Sequence, residues 1–145
     1  MNKMFKFTLF FYLLINIFNI SISNEKFFDK ALELYENKKY EDARFMFERN
    51  IVYNPKDAIS YLYLAKIYNH EEDERKEKNN LETALLIEPN NEEVLLMLMK
   101  IALKKSNYSK VKDLSKTFVK VCEKLCDEND SIQETLKNIE PKNES

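Results

Sequence analysis

From about residue 25 onward the apolar positions recur at spacings of three and four, the period of a helix with one buried face. Phe27, Ala31, Leu34 and Tyr35 line one face of a helix predicted from about Glu25 to Asn37. The polar break Asn37-Lys38-Lys39 follows, with Asn37 the residue suited to a left-handed turn. A second helix is predicted from about Tyr40 to Val52, with Tyr40, Ala43, Phe47 and Ile51 inward. Pro55 ends that pair, because proline cannot continue a helix and drives the preceding residue out of helical geometry. Asp57 is the expected N-cap of a third helix carrying Tyr61, Leu64, Ala65 and Tyr68. The nine polar or charged residues from His70 to Lys78 then interrupt the pattern, which resumes at Leu81, Ala84, Leu85 and Ile87 and closes at Pro89.

Val94 to Leu103 is apolar nearly all round, which predicts a helix buried on every face, in the middle of whatever assembly the helices form. Ser106-Asn107-Tyr108 makes a turn, and the next helix carries Val111, Leu114, Phe118, Val121, Cys122 and Leu125. Asp130 with Gln133 reads as a capping box for a last short helix, whose stripe is Ile132, Leu136 and Ile139 before Pro141.

These helices are copies. Pro55 and Pro89 lie 34 residues apart, and the same shift carries Phe27 to Tyr61, Ala31 to Ala65, Leu34 to Tyr68, Phe47 to Leu81 and Ile51 to Leu85. A weaker second shift takes Tyr61 to Leu95, Ala65 to Met99 and Tyr68 to Ala102, and Tyr40 reappears two periods on as Tyr108. Self-similarity at a fixed period of this length marks a stack of helix pairs, each burying its apolar face against the next. The expected fold is all-α: an antiparallel helix-pair solenoid with a C-terminal capping helix. The expected divisions are 24–56, 57–90 and a degenerate 91–125, then a cap over 128–140 and a tail over 141–145. The alternative is a plain helical bundle, which shares the antiparallel helices and short loops.

The pattern resembles the tetratricopeptide repeat, a 34-residue pair of antiparallel helices with large and small residues on the first helix, a small residue and an aromatic on the second, and a closing proline. Phe27, Ala31, Tyr40, Ala43, Phe47 and Pro55 match it in the first unit, and Tyr61, Leu64, Ala65, Tyr68, Leu81, Ala84 and Pro89 in the second. The third keeps Leu95, Leu98, Ala102 and Tyr108 and lacks the proline. Glu77 stands where Ala43 stands, a departure that predicts a frayed or displaced start to that helix. The resemblance covers about residues 24–122. It implies a non-enzymatic scaffold that holds another protein or peptide along the face made by the first helices. By register that putative groove comprises Phe28, Leu32 and Tyr35, then Leu62, Lys66 and Asn69, then Leu96, Lys100 and Leu103. Phe28 and Leu32 occupy places where the family's carboxylate-clamp version needs polar residues, so no such clamp is expected.

Ahead of the helices, Lys3 and Lys6 precede the uncharged run Phe7–Ile20, and Ser21-Ile22-Ser23 offers a small-x-small cleavage site. A helix of that run spans about 21 Å, short of a hydrocarbon core of about 30 Å. Residues 1–23 therefore read as a secretory signal peptide, with an uncleaved membrane anchor through residues 7–20 as the alternative. Export to the periplasm, the cell envelope or the extracellular space follows as an expectation. Removing Lys3 and Lys6 takes the net charge from −2 to −4, with no basic stripe for a nucleic acid.

Composition narrows the chemistry. There is no glycine, which excludes the glycine-rich phosphate loops, the dinucleotide fingerprint and the serine-hydrolase elbow. The single histidine, His70, cannot build the usual His-based acid–base pairs or multi-His metal sites. It lies beside Glu71, Glu72, Asp73, Glu74 and Glu77, a segment read as a solvated charged loop. The acidic cluster from Asp127 to Asp130 lacks the glycine and spacing of a calcium loop. No catalytic residue, cofactor or metal site is expected. Asn107, Asn129 and Asn143 begin N-x-Ser sequons. Cys122 and Cys126, four apart, admit two readings: unpaired thiols on the core stripe, or a disulfide in an exported protein, strained inside a regular helix and relieved at a helix end. A small exported helical protein with a redox or structural bridge at these cysteines is accordingly the alternative function.

Overall fold

The computed structural model describes residues 26–139, and every described element of regular structure is a helix. The expected signal segment 1–23 and tail 141–145 lie outside the described residues. The first helix, α1, is described over 26–36. It is followed by α2 (Tyr40–Tyr53), α3 (Ala58–His70), α4 (Glu74–Ile87), α5 (Glu92–Lys104), α6 (Tyr108–Val121) and α7 (Cys126–Ile139). The 34-residue period is visible in these bounds: α2, α4 and α6 begin at 40, 74 and 108, and α3, α5 and α7 at 58, 92 and 126.

The backbone carries the same period. Lys38, Glu72 and Ser106 hold positive φ angles of 59°, 58° and 55°. Each ends a first helix with the same pair of turn bonds. The N–H of Lys39 donates to the Leu34 carbonyl at 2.9 Å, that of Asp73 to Tyr68 at 2.9 Å, and that of Asn107 to Ala102 at 2.8 Å. A left-handed residue at this place is usually glycine, and in a chain without glycine other residues bear the conformation. The left-handed residue of the first turn is thus Lys38, not Asn37, whose side-chain amide instead donates to the Glu33 carbonyl at 2.8 Å. The charged run from His70 is also ordered differently from expectation. Asp73 caps α4 by accepting the Lys76 N–H at 3.0 Å, so that helix starts in register at Glu74, neither frayed nor displaced.

The chain divides into two compact units, one ending at Ser60 and one beginning at Tyr61. In the first, Ala31 and Ala43 are fully buried, and small residues there let α1 and α2 approach closely. Phe28 meets Phe47 edge-on at 5.9 Å between ring centroids, Phe27 stacks on Tyr53 at 5.6 Å, and Tyr35 meets Tyr40 at 5.5 Å. The end of α2 is tied to the start of α3 by a polar cluster. Asn50 Nδ2 donates to Asp57 Oδ2 at 2.7 Å and to Ser60 Oγ at 2.9 Å, and the Ser60 hydroxyl donates to Asp57 Oδ2 at 2.7 Å.

In the second unit α5 is the central helix. It contacts α4, α6 and α7, and its Val94, Leu95, Leu96, Leu98, Met99, Ile101 and Ala102 are all buried. Leu81 and Ala84 from α4, Val111, Leu114 and Phe118 from α6, and Ile132 and Leu136 from α7 complete one contiguous core with Leu62 and Ala65 of α3.

The last helix differs from its expected form. It begins at Cys126, so Asp130 and Gln133 lie within it and form no capping box. Gln133 Nε2 instead donates to Ser115 Oγ at 2.9 Å, and that hydroxyl donates to Asn129 Oδ1 at 2.7 Å. Ile139 is 48% exposed, and the buried face is Asn129, Ile132 and Leu136. The cause lies at the α6–α7 turn. Where α2 and α4 are followed by Pro55 and Pro89, α6 is followed by Glu123. A disulfide joins Cys122 to Cys126 across the break, with the Cα atoms 5.4 Å apart. Glu92 Oε2 accepts from the N–H groups of Glu123, Lys124 and Leu125 at 2.7, 3.1 and 3.3 Å. The bridge therefore spans the junction between the two helices, from the C-cap of α6 to the first residue of α7. Replacing both cysteines by serine is expected to cost about 2 kcal/mol by the loop-closure relation for so short a loop. The loss should fall first on α7: its amides are expected to exchange faster by hydrogen exchange, while those of α4 and α5 keep their protection.

Candidate functional site

The nine residues assigned to the groove separate into two kinds. Phe28 and Tyr35 are half-buried in ring contacts with α2, and Leu32 is half-buried. Leu62 and Leu96 are only 3% and 5% exposed and belong to the core of the second unit, a correction to their placement on an open face. The helix period placed them on the correct helices, but α5 is buried so nearly all round that its supposed outer leucine faces neighbours. Leu103 is half-buried against the same core. Lys66 Nζ pairs with Glu93 at 2.8 Å, and Lys100 Nζ with Glu128 at 3.0 Å. Asn69 donates through Nδ2 to Glu77 Oε1 at 3.0 Å.

Two of the nine, Asn69 and Lys100, meet at an open cavity of about 220 Å³ within the second unit. Asn69 comes from α3, Glu74 and Glu77 from α4, and Met97, Lys100, Ile101 and Lys104 from α5. Glu74 accepts from Lys105 at 2.6 Å and from Lys104 at 3.2 Å, and these two bonds hold its carboxyl below the usual carboxylate range. Glu77 is different: it is only 5% exposed. Burial pushes its carboxyl up, against the opposing Asn69 hydrogen bond. Glu74 adds to the rise and Lys104 opposes it. The sequence marked Glu77 as a departure from the repeat and as part of a solvated charged loop; it lies instead within α4, buried, and lines the cavity. A second, shallower depression lies between α6 and α7, lined by Lys112, Ser115, Lys116, Val119, Lys120 and Gln133. Among the described residues, no group of three or more His, Cys, Asp or Glu side chains gathers as metal ligands do, and no helix is long and apolar enough to cross a membrane.

The shifts of Glu77 and Glu92 predict opposite pH effects. Both carboxyls ordinarily titrate at 4.5. Glu77 is raised, so as pH climbs past 4.5 the unfolded chain ionises first and stability falls until the folded carboxyl ionises too. Glu92 is lowered, chiefly by the Glu123 N–H, so its contribution is present above 4.5 and is lost as pH falls through the folded value. Glu77→Gln should therefore raise the melting temperature at about pH 7 and change it little near pH 4, whereas Glu92→Gln should lower it at about pH 7 and lower it progressively less as pH falls below 4.5. Thermal melts across that range check both signs.

No family model matches the sequence, and no curated protein matches it. Solved structures do match. The type III secretion chaperone SycD of Yersinia enterocolitica, in complex with a peptide of the translocator YopD, aligns with a TM-score of 0.71 at 16% identity, over 79% of this chain and 92% of that one. The Sgt2 TPR domain from Aspergillus fumigatus aligns at 0.67 and 13% identity, over 82% and 85%. The P58(IPK) TPR domain aligns at 0.72 and 16% identity, over 80% of this chain and 32% of that one. The chain has the tetratricopeptide-repeat fold. At these identities the likeness concerns the fold, and it agrees with the 34-residue period seen in helix bounds and turn geometry. In tetratricopeptide-repeat terms α3 and α5 are first helices, and the cavity lies between their side chains and the start of the second helix α4.

Proposed function

We propose that this chain is a non-enzymatic protein-interaction module of the tetratricopeptide-repeat type, which holds a polypeptide segment against the first-helix face and acts outside the cytoplasm. The observation that carries the reading is the fold itself, shared with SycD, a chaperone seen in complex with a peptide. The cavity at Asn69 and Lys100 supports it, since it offers polar groups beside the apolar Met97 and Ile101 on that face. Export is supported by the Phe7–Ile20 run with its Ser21-Ile22-Ser23 site. It is also supported by the Cys122–Cys126 bridge, a bond that persists in oxidising compartments. That bridge sits at a helix junction braced by Glu92, which favours a structural role for it over thiol cycling.

The test is selection of binders from a random peptide library by the chain from Asn24 onward. Selected peptides are expected to lose about tenfold or more in affinity to Lys66→Glu and Met97→Ala. They should keep it with Leu86→Glu, on the 83% exposed outer side of α4. Equal binding by all three variants, each still helical by circular dichroism, would remove the first-helix face from the proposal. N-terminal sequencing of the protein recovered from its source organism tests export: the expected start is Asn24, and a start at Met1 would refute cleavage.

A further inference from the structure

Position 77 is unlike its counterparts one period away. Ala43 and Val111 occupy the same step of α2 and α6, and both are fully buried. A small or apolar side chain therefore suffices for helix packing there, yet α4 carries a carboxylate that is 5% exposed. Burying a carboxylate is costly unless a cation or several hydrogen bonds compensate. Glu77 receives a side-chain hydrogen bond from Asn69 and feels the charge of Lys104, but among the described residues no ion pair is closed on it. The neighbouring charges are already matched: Lys104 and Lys105 pair with Glu74, and Lys100 with Glu128. Glu77 is thus the buried carboxyl of the cavity lining, with its nearest cation, Lys104, committed to Glu74, and Met97 and Ile101 form an apolar wall beside it.

We infer that this cavity receives a basic side chain, lysine or arginine, of the bound polypeptide, with Glu77 as its counter-ion. The aliphatic stem of either side chain would lie along Met97 and Ile101 while its charged head reaches the carboxylate, the arrangement that long cationic side chains favour. The volume of about 220 Å³ suits one such side chain and not a folded element. The inference rests on the peptide-holding reading above and adds what the held segment must carry. It also accounts for an acid placed where the other helix pairs use alanine and valine.

The probe is Nα-acetyl-arginine amide, with Nα-acetyl-citrulline amide as its uncharged counterpart, titrated into the isotopically labelled chain and followed by NMR. The arginine compound is expected to shift the Asn69 side-chain amide and the Ile101 methyl groups saturably. It should also lower the titration midpoint of the Glu77 carboxyl, since a bound cation favours the ionised form. Citrulline is expected to bind about tenfold or more weakly, and Glu77→Gln to weaken the arginine compound by a similar factor. Equal binding of the two compounds, arginine binding unchanged by Glu77→Gln, or shifts confined to carboxylates outside the cavity lining, such as Glu93 and Glu128, would each overturn the inference. So would no saturable shift at millimolar probe. Library peptides that bind while the probe fails would separate the loss of this inference from the loss of the peptide-holding reading.

Discussion

Phe118→Ala is expected to lower the unfolding free energy by about 3–5 kcal/mol, the usual cost of truncating a buried aromatic. Phe118 is fully buried on α6 and belongs to the cluster that joins α3, α4, α5, α6 and α7. The cavity left behind would border α5, which cannot collapse inward without moving three neighbours, α4, α6 and α7. Loss of fixed packing in the second unit should follow: binding of a hydrophobic dye and a lower denaturant midpoint, with much of the helical signal retained. Phe45→Ala is the matched control, because that ring is 58% exposed on α2 and its loss should stay within about 0.5 kcal/mol. If urea melts place the two variants within about 1 kcal/mol of each other, the core described here is wrong.

Asn50→Asp should be comparably severe, and it carries a pH signature. Asn50 is 1% exposed, and its amide donates to the Asp57 carboxylate and to Ser60. An aspartate there would set two carboxylates at hydrogen-bond distance in a buried place and remove both donated bonds. A destabilisation of about 3 kcal/mol or more is expected near neutral pH, the scale of an uncompensated buried charge. Lowering the pH to about 4 should recover part of it, since one shared proton lets the two carboxyls bond to each other. Asn50→Ala, which adds no charge, should cost about 1–3 kcal/mol and show no such recovery. Melts of the two variants at both pH values decide it; a flat pH response for Asn50→Asp would contradict the cluster.

Both substitutions act at positions whose weight differed greatly in the sequence. Phe118 was legible as core, because it lies on a three–four apolar stripe. Asn50 was not, because a polar residue on a helix gives no sign of facing inward until its partners, Asp57 and Ser60, are placed opposite it. The groove divides in the same way. Register assigned Asn69 and Lys100 to the face where the cavity lies, but Leu62 and Leu96, assigned by the same rule, are core. Glu77 was legible only as an irregularity, and it is the buried acid of the cavity. The last helix was placed from a local Asp130–Gln133 pattern, and that pattern lost to the repeat register, the Cys122–Cys126 bridge and the Glu92 carboxylate.

By itself, the sequence determined the all-α character, the 34-residue period, the helix pairs and the burial of α5. These follow from apolar spacing, proline positions and turn residues, all of which act within a few residues of one another along the chain. Only the tertiary structure decided which carboxylate each lysine meets and that Glu77 is buried beside Asn69. It alone decided that Glu92 accepts three N–H groups more than 30 residues away, and where α7 begins. Those contacts depend on how helices distant in sequence are set against each other, and the spacing of apolar residues within a helix records which face turns inward but not what it will face.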